Sequence, residues 1–302
     1  MLQPDIVRPT TIGDALQALC RPGAVALAGA TDLIPAMRKG EVRPRLLVNL
    51  KHIPGLAGIR RTRGGIRIGA LTRVADLLEN DLIANSVPLL SEVASGFGSV
   101  QIRNLATVGG NLCNAAPSAD LALPLLVLDA RVEVTGPAGA RQVELCNFFR
   151  GVNKTVLRRG EILTSILIPP LRIRTGAACA KLGGRRAMDL AFVGVAAALR
   201  LRPNRRTCAQ ARIALGSLAP TPLRAYAAED LLQDSVITPA LVTQAAEDAA
   251  AAARPVTDLR ASAAYRREMT RTLTGRALRE ALRRAQRPPS AGARRAGKES
   301  AR

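Results

Sequence analysis

Two short stretches of this 302-residue chain hold residue types that could do chemistry. The longer is Ala106-Thr107-Val108-Gly109-Gly110-Asn111-Leu112-Cys113-Asn114-Ala115-Ala116-Pro117-Ser118-Ala119-Asp120, which sets a Thr, two adjacent glycines, two asparagines and an Asp between a short apolar run and a Leu-rich segment. Glycine lets backbone N–H groups approach a ligand with no Cβ in the way and tolerates positive φ. Successive N–H groups in such a turn, followed by a helix start, make an anion site. The shorter stretch is Leu27-Ala28-Gly29-Ala30-Thr31-Asp32-Leu33. There a strand over 25–28 runs into a helix over 33–38, with Pro35 in the first turn, where a missing N–H matters least. Both stretches read as strand–turn–helix units with exposed amides. Together they suggest two loops converging on one ligand that carries a diphosphate.

Composition narrows the alternatives. Five cysteines are scattered with no C-x-x-C pair, which argues against an iron–sulfur cluster or structural zinc in this chain. They read as reduced thiols and small buried residues. His52 is the single histidine, so multi-His metal sites and His-based triads are nearly excluded. The formal charge of +21 invites a nucleic-acid reading, because Lys and Arg neutralise phosphates. Yet arginine is spread along the chain, aromatic stacking platforms are scarce, and no helix-turn-helix or zinc-finger spacing appears. The expectation is no nucleic acid, with an acidic protein partner as the other consequence of the charge. No apolar run spans a bilayer, and the N-terminus lacks the pattern of a secretory signal, so a cytoplasmic location with no transmembrane segment is expected.

The elements that must position the two loops follow from apolar spacing and punctuation. Residues 9–19 read as an amphipathic helix capped by Thr10 or Thr11, with Ile12, Leu16 and Leu19 on one face. Residues 46–50 form a buried strand, 65–69 alternate like an exposed strand, and 71–78 carry a capped helix. Residues 88–96 make a helix that opens on Pro and closes at Gly. A helix over 121–130, a strand over 131–134 and the apolar run 161–168 follow the long stretch. Pro169-Pro170 marks a boundary, since neither can donate to a ladder. Beyond it, 191–199 reads as a strand or buried segment, 212–215 as a strand and 239–286 as mostly helical. The basic, aperiodic tail over 287–302 is expected to be disordered.

Taken in order, these motifs resemble the FAD-binding medium subunit of molybdenum hydroxylases, the family of xanthine dehydrogenases and aerobic carbon monoxide dehydrogenases. The resemblance runs through Leu27 to Leu33, Gln101-Ile102-Arg103-Asn104 and Thr107 to Asp120. It continues in Glu161-Ile162-Leu163, Lys181, Gly216 with Pro220 and Pro222, Glu229, and Ser262-Ala263-Ala264-Tyr265-Arg266-Arg267, reaching residue 281. It implies an α+β chain: a two-subdomain FAD-binding domain of PCMH type over 1–170, with subdomains over 1–55 and 56–170. A smaller α+β C-terminal domain over 171–286 follows. The implied cofactor-binding residues are Leu27, Ala28, Gly29, Ala30, Thr31, Asp32 and Leu33 in the first loop, with Thr107, Val108, Gly109, Gly110 and Asn111 in the second. Asp120 would reach a sugar or ribityl hydroxyl, Leu163 and Lys181 would lie beside the flavin, and Phe97 would face the isoalloxazine ring. The implied partners are a large subunit with the molybdenum cofactor and a small subunit with [2Fe–2S] clusters, in a dimer of heterotrimers. NAD, a quinone or oxygen would accept the electrons.

Each residue also has a structural alternative: Asp120 as a cap for the following helix, Lys181 as a solvated side chain, Phe97 as core, Arg103 as a turn brace. Members of the resembled family commonly carry two glycines where this chain has Gly29-Ala30, and a methyl there is tolerable if φ at Ala30 is negative. That departure motivates a second reading, an accessory flavoprotein with impaired FAD binding. A charge-driven nucleic-acid-binding protein is the third.

Overall fold

A computed structural model describes residues 4–185 and 189–287, so the basic tail from 288 onward lies outside the described residues. The chain opens with β1 (Asp5–Val7), α1 (Ile12–Leu19), β2 (Ala24–Leu27), α2 (Leu33–Lys39) and β3 (Leu46–Asn49). The three strands pair in parallel in the order β1-β3-β2. Thr11 caps α1 by accepting the Asp14 N–H at 3.1 Å, and Leu16 and Leu19 turn inward onto Leu46, Val48 and Leu50. By contrast, α2 buries no residue at all, so this small unit keeps one helix and its leading loop open.

The second unit is a five-stranded antiparallel sheet in the order β4-β5-β10-β6-β7. Its strands are β4 (Ile59–Thr62), β5 (Gly65–Gly69), β6 (Arg131–Gly136), β7 (Gly139–Glu144) and β10 (Ile162–Ile168), with the small hairpin β8 (Phe149–Gly151) and β9 (Lys154–Thr155) beside it. Between β5 and β6 run six helices: α3 (Val74–Glu79), α4 (Asp81–Ser86), α5 (Pro88–Ser95), α6 (Val100–Leu105), α7 (Val108–Asn114) and α8 (Ala122–Val127). Two expectations fail here. Strand β5 is buried at every position except the half-buried Arg67, because it is an interior strand between β4 and β10, Ile66 and Ile68 enter the core, and Gly69 lies against Leu56. The long stretch is not a strand–turn–helix unit: it is preceded by the helix Val100–Leu105, and its own turn is taken up by the helix Val108–Asn114, with Gly109 and Gly110 inside α7.

The third unit is the antiparallel sheet β11 (Thr175–Leu182), β12 (Val193–Leu201), β13 (Cys208–Gly216) and β14 (Leu223–Arg224) with α9 (Tyr226–Leu232), α10 (Pro239–Ala252) and α11 (Ala263–Gln286). One face packs its own core through Val195, Ile213, Leu215, Leu273 and Leu278. The other face carries Ala196, Ala198 and Ala214 and joins the core of the second unit, against α8. Small side chains let helix and sheet approach closely, which suits a chain this poor in aromatics. Cys208 is buried as expected, but Cys20, the residue that follows α1, is exposed, with its sulfur beside the turn at Gly160 rather than in the small core. Burial pushes the Cys113 and Cys179 thiols up to about 12.

Glu229 is a buried acid that ties α9 to β13 and β14 in the third unit. It accepts the Ile213 N–H at 2.8 Å and a two-pronged contact from Arg224 at 2.5 and 2.6 Å. Removing one partner of a buried pair strands the other charge. Glu229→Ala is therefore expected to lower stability by about 3 kcal/mol in urea unfolding, while Asp230→Ala, on the neighbouring position, changes it by less than about 0.5 kcal/mol.

Candidate functional site

The first loop connects the end of β2 to the start of α2. The N–H groups of Gly29, Ala30, Thr31, Asp32 and Leu33 donate to no protein acceptor among the described residues. The Ala30 and Asp32 carbonyls are already engaged, by Ile34 N at 3.1 Å and Ala36 N at 3.0 Å. Asp32 occupies the cap position of α2 without a side-chain hydrogen bond to it. The loop is thus a run of five unclaimed donors at a helix start, the arrangement that attracts phosphate oxygens. Ala30 has φ +64°. The condition under which its methyl is harmless is not met, and a left-handed alanine costs about 1–2 kcal/mol relative to its ordinary conformation.

The second stretch has the opposite economy. Val108 N donates to Thr72 O at 2.9 Å and Gly109 N to Ala70 O at 2.8 Å. Gly110 N donates to Thr107 Oγ1 at 3.1 Å and Asn111 N to Thr107 O at 3.0 Å. Every early amide of α7 is consumed inside the protein, so the expected second cradle of backbone donors is not open. Gly109 is needed for packing instead: a Cβ there would lie 2.6 Å from the Ala70 Cβ.

The two stretches nevertheless meet. A Cβ on Gly29 would stand 2.2 Å from the Leu105 carbonyl oxygen and 3.0 Å from the Ala106 Cα. The first loop therefore rests its bare α-carbon on the corner between α6 and α7. Sequence reasoning missed this use of Gly29, and also the parts played by Ala70 and Thr72, whose carbonyls are long-range partners. The signal that was available is Thr107 followed three residues later by Gly110, a helix-cap spacing.

Asp120 lies near the second stretch and pairs with Lys181 of β11 at 2.8 Å. Burial raises its carboxyl above the ordinary carboxylate range, and Lys181 pulls part of that back. Asp120 does not cap α8; the Leu121 N–H goes to the Asn111 side chain at 3.3 Å. Leu163 is buried in β10, and its neighbour Thr164 accepts the Ala70 N–H at 3.0 Å, which links β10 to α7 through Ala70. Phe97 is half-buried and packs on the core, and its carbonyl accepts a 3.0 Å hydrogen bond from Arg103. Leu27 and Ala28 are half-buried at the end of β2.

Residues 2–171 match the FAD binding domain in molybdopterin dehydrogenase, and residues 178–281 match the CO dehydrogenase flavoprotein C-terminal domain. The chain belongs to the FAD-binding medium subunits of the molybdenum hydroxylases. It is 34% identical over 278 residues to the xanthine dehydrogenase FAD-binding subunit of Escherichia coli O157:H7, covering 91% of this chain and 94% of that one. It is 34% identical over 272 residues to the carbon monoxide dehydrogenase medium chain of Hydrogenophaga pseudoflava, covering 89% and 94%. Its fold superposes on carbon monoxide dehydrogenase from Hydrogenophaga pseudoflava with a TM-score of 0.90 at 33% identity, over 93% of this chain and 98% of that one. Quinoline 2-oxidoreductase from Pseudomonas putida 86 gives 0.88 at 28% identity, over 94% and 99%.

The cofactor of this medium subunit is FAD, and the first loop fits it. Five successive N–H donors match a diphosphate, whose oxygens need acceptor-seeking groups and no bulky side chain. Two substitutions separate packing from strain. Gly29→Ala forces the loop off its seat and is expected to weaken FAD binding by tenfold or more in fluorescence titration. Ala30→Gly removes about 1–2 kcal/mol of strain against a glycine entropy cost of about 0.5–1 kcal/mol, and is expected to bind FAD at least as tightly, with an unchanged or higher melting midpoint.

Proposed function

We propose that this chain is the electron-transfer subunit of a molybdenum hydroxylase complex. In this reading it receives electrons from the [2Fe–2S] clusters of a small partner subunit and passes them to an external acceptor, either NAD, a quinone or oxygen. The organic substrate is oxidised on a large partner subunit that holds molybdenum, and the assembly is a dimer of heterotrimers in the cytoplasm. The observation that carries the reading is the row of unclaimed amides over 29–33, seated on the Leu105–Ala106 corner. Residues 1–170 then form the FAD-binding domain, and 171–286 a domain that closes against it.

In that assignment the N–H groups of Gly29, Ala30, Thr31, Asp32 and Leu33 hold the diphosphate, with Leu27 and Ala28 fixing where the loop begins. Thr107, Val108, Gly109, Gly110 and Asn111 form the wall behind it rather than a second set of donors. Asp120 accepts from a sugar or ribityl hydroxyl, and its pair with Lys181 fixes both side chains beside the flavin. Leu163 supplies an apolar contact, and Phe97 shapes the far edge of the pocket. FAD supplies the redox step, since it takes up electrons singly and can release them as a pair. This chain's residues need only bind, orient and neutralise; no general base is required here.

One observation favours the second reading, in which FAD binding is weakened: the left-handed Ala30. Both readings are tested by isolating the chain with its native partners. The expected preparation is yellow, holds close to stoichiometric FAD, bleaches on titration with dithionite, and co-purifies with iron and molybdenum. A colourless preparation that takes up no added FAD contradicts the electron-transfer assignment.

A further inference from the structure

At the end of the C-terminal sheet opposite Lys181, a cavity of about 340 Å³ opens where the 169–172 linker passes the end of α8. Its floor is one face of the sheet. Thr175, Arg200 and Gln210 are in register across β11, β12 and β13, and Ala177, Ala198 and Arg212 form the next row on the same face. Ala198 contributes only a methyl group, which keeps the floor low. Asp129 follows α8 with φ +51°. Its carboxylate accepts Arg212 at 2.8 and 3.1 Å and Arg224 at 3.3 Å. The charges lining the cavity are therefore Arg172, Arg200 and Arg212 against Asp129 alone.

Arg172 and Arg200 form no ion pair among the described residues, and the Arg200 Nε is buried with no hydrogen-bond partner. A buried guanidinium N–H without an acceptor is costly, and such forks suit phosphate geometry. We propose that this cavity binds a small phosphate-type oxyanion, with Arg200 and Arg172 supplying charge and Gln210 and Thr175 supplying hydrogen bonds. The cavity has more room than one bare phosphate fills, so the ligand is either the free ion or a compact phosphomonoester. An occupant would bridge the linker and the sheet, and so brace the junction between the two domains. The cavity's lining includes none of the residues assigned to FAD, and the proposal is independent of that assignment.

The test uses the full-length, FAD-loaded protein at constant ionic strength set with sodium chloride. Inorganic phosphate and glycerol 2-phosphate are titrated separately, by calorimetry and by melting midpoint. Saturable binding that raises the midpoint beyond the chloride control is expected. Arg200→Gln and Arg172→Gln should each weaken it by about tenfold or more with FAD content unchanged. Ala198→Leu, which fills the cavity and keeps both arginines, should abolish it. Tighter binding of the monoester assigns the site to an ester, and tighter binding of phosphate assigns it to the free ion. No saturable binding by the unaltered protein, or binding that survives in all three variants, overturns the proposal.

Discussion

The contact on which the proposed cofactor site depends is the one between the bare α-carbon of Gly29 and the carbonyl of Leu105. Backbone lies against backbone there, with no side chain between. It fixes the first loop at the corner of α6 and α7, and that corner is itself fixed by α7 donating its first amides to Ala70 and Thr72. The first loop leaves five donors unclaimed, whereas the amides of Val108 to Asn111 are all spent inside the protein. A cradle of free amides needs a rigid support, since ordering a loose loop on binding would cost about 1–2 kcal/mol per residue in backbone entropy.

The two large units are joined by surfaces of different kinds. Alanines on β12 and β13 lie against α8 without polar groups to satisfy. Around that seam, carboxylates of the first 170 residues meet cations of the C-terminal sheet and helix. Asp120 meets Lys181, Glu92 meets Arg284, and Asp129 meets both Arg212 and Arg224. In each pair the acid comes from the N-terminal side. Part of the formal +21 charge is thereby spent on internal docking. That gives a structural outlet for arginine that does not involve nucleic acid. Exposed members of these pairs contribute little each; their consistent direction fixes orientation more than it adds stability.

Much of the local structure was legible in the sequence. Residues 88–96 read as a Pro-opened, Gly-closed helix and form α5, with Gly96 at its end. The short apolar run before Gly29 is β2, and the Pro-Pro pair falls between β10 and β11. What failed has one cause: partners far away in sequence. Thr107-Val108-Gly109-Gly110 looks like a ligand-binding turn until Ala70 and Thr72 are seen to take its amides. Strand β5 looked exposed because local alternation does not reveal that β4 and β10 flank it. Residues that carried the family resemblance also prove to have structural roles. Glu229 holds Arg224, and Arg266, only 2% exposed, reaches the carbonyls of Phe192 and Ser217 and the carboxylate of Asp258. Composition shows that such charges exist, but not that they are buried.

The central claim is that the amides of 29–33, and not those of 108–111, hold the cofactor's diphosphate. Residue-resolved amide hydrogen exchange on the chain with FAD and with riboflavin, which lacks the diphosphate, measures this directly. The account predicts that FAD strongly slows exchange at Gly29 to Leu33 while riboflavin leaves those amides fast, with Val108 to Asn111 already slow in both. Equal exchange at 29–33 with the two ligands, or FAD-dependent slowing confined to 108–111, would contradict it.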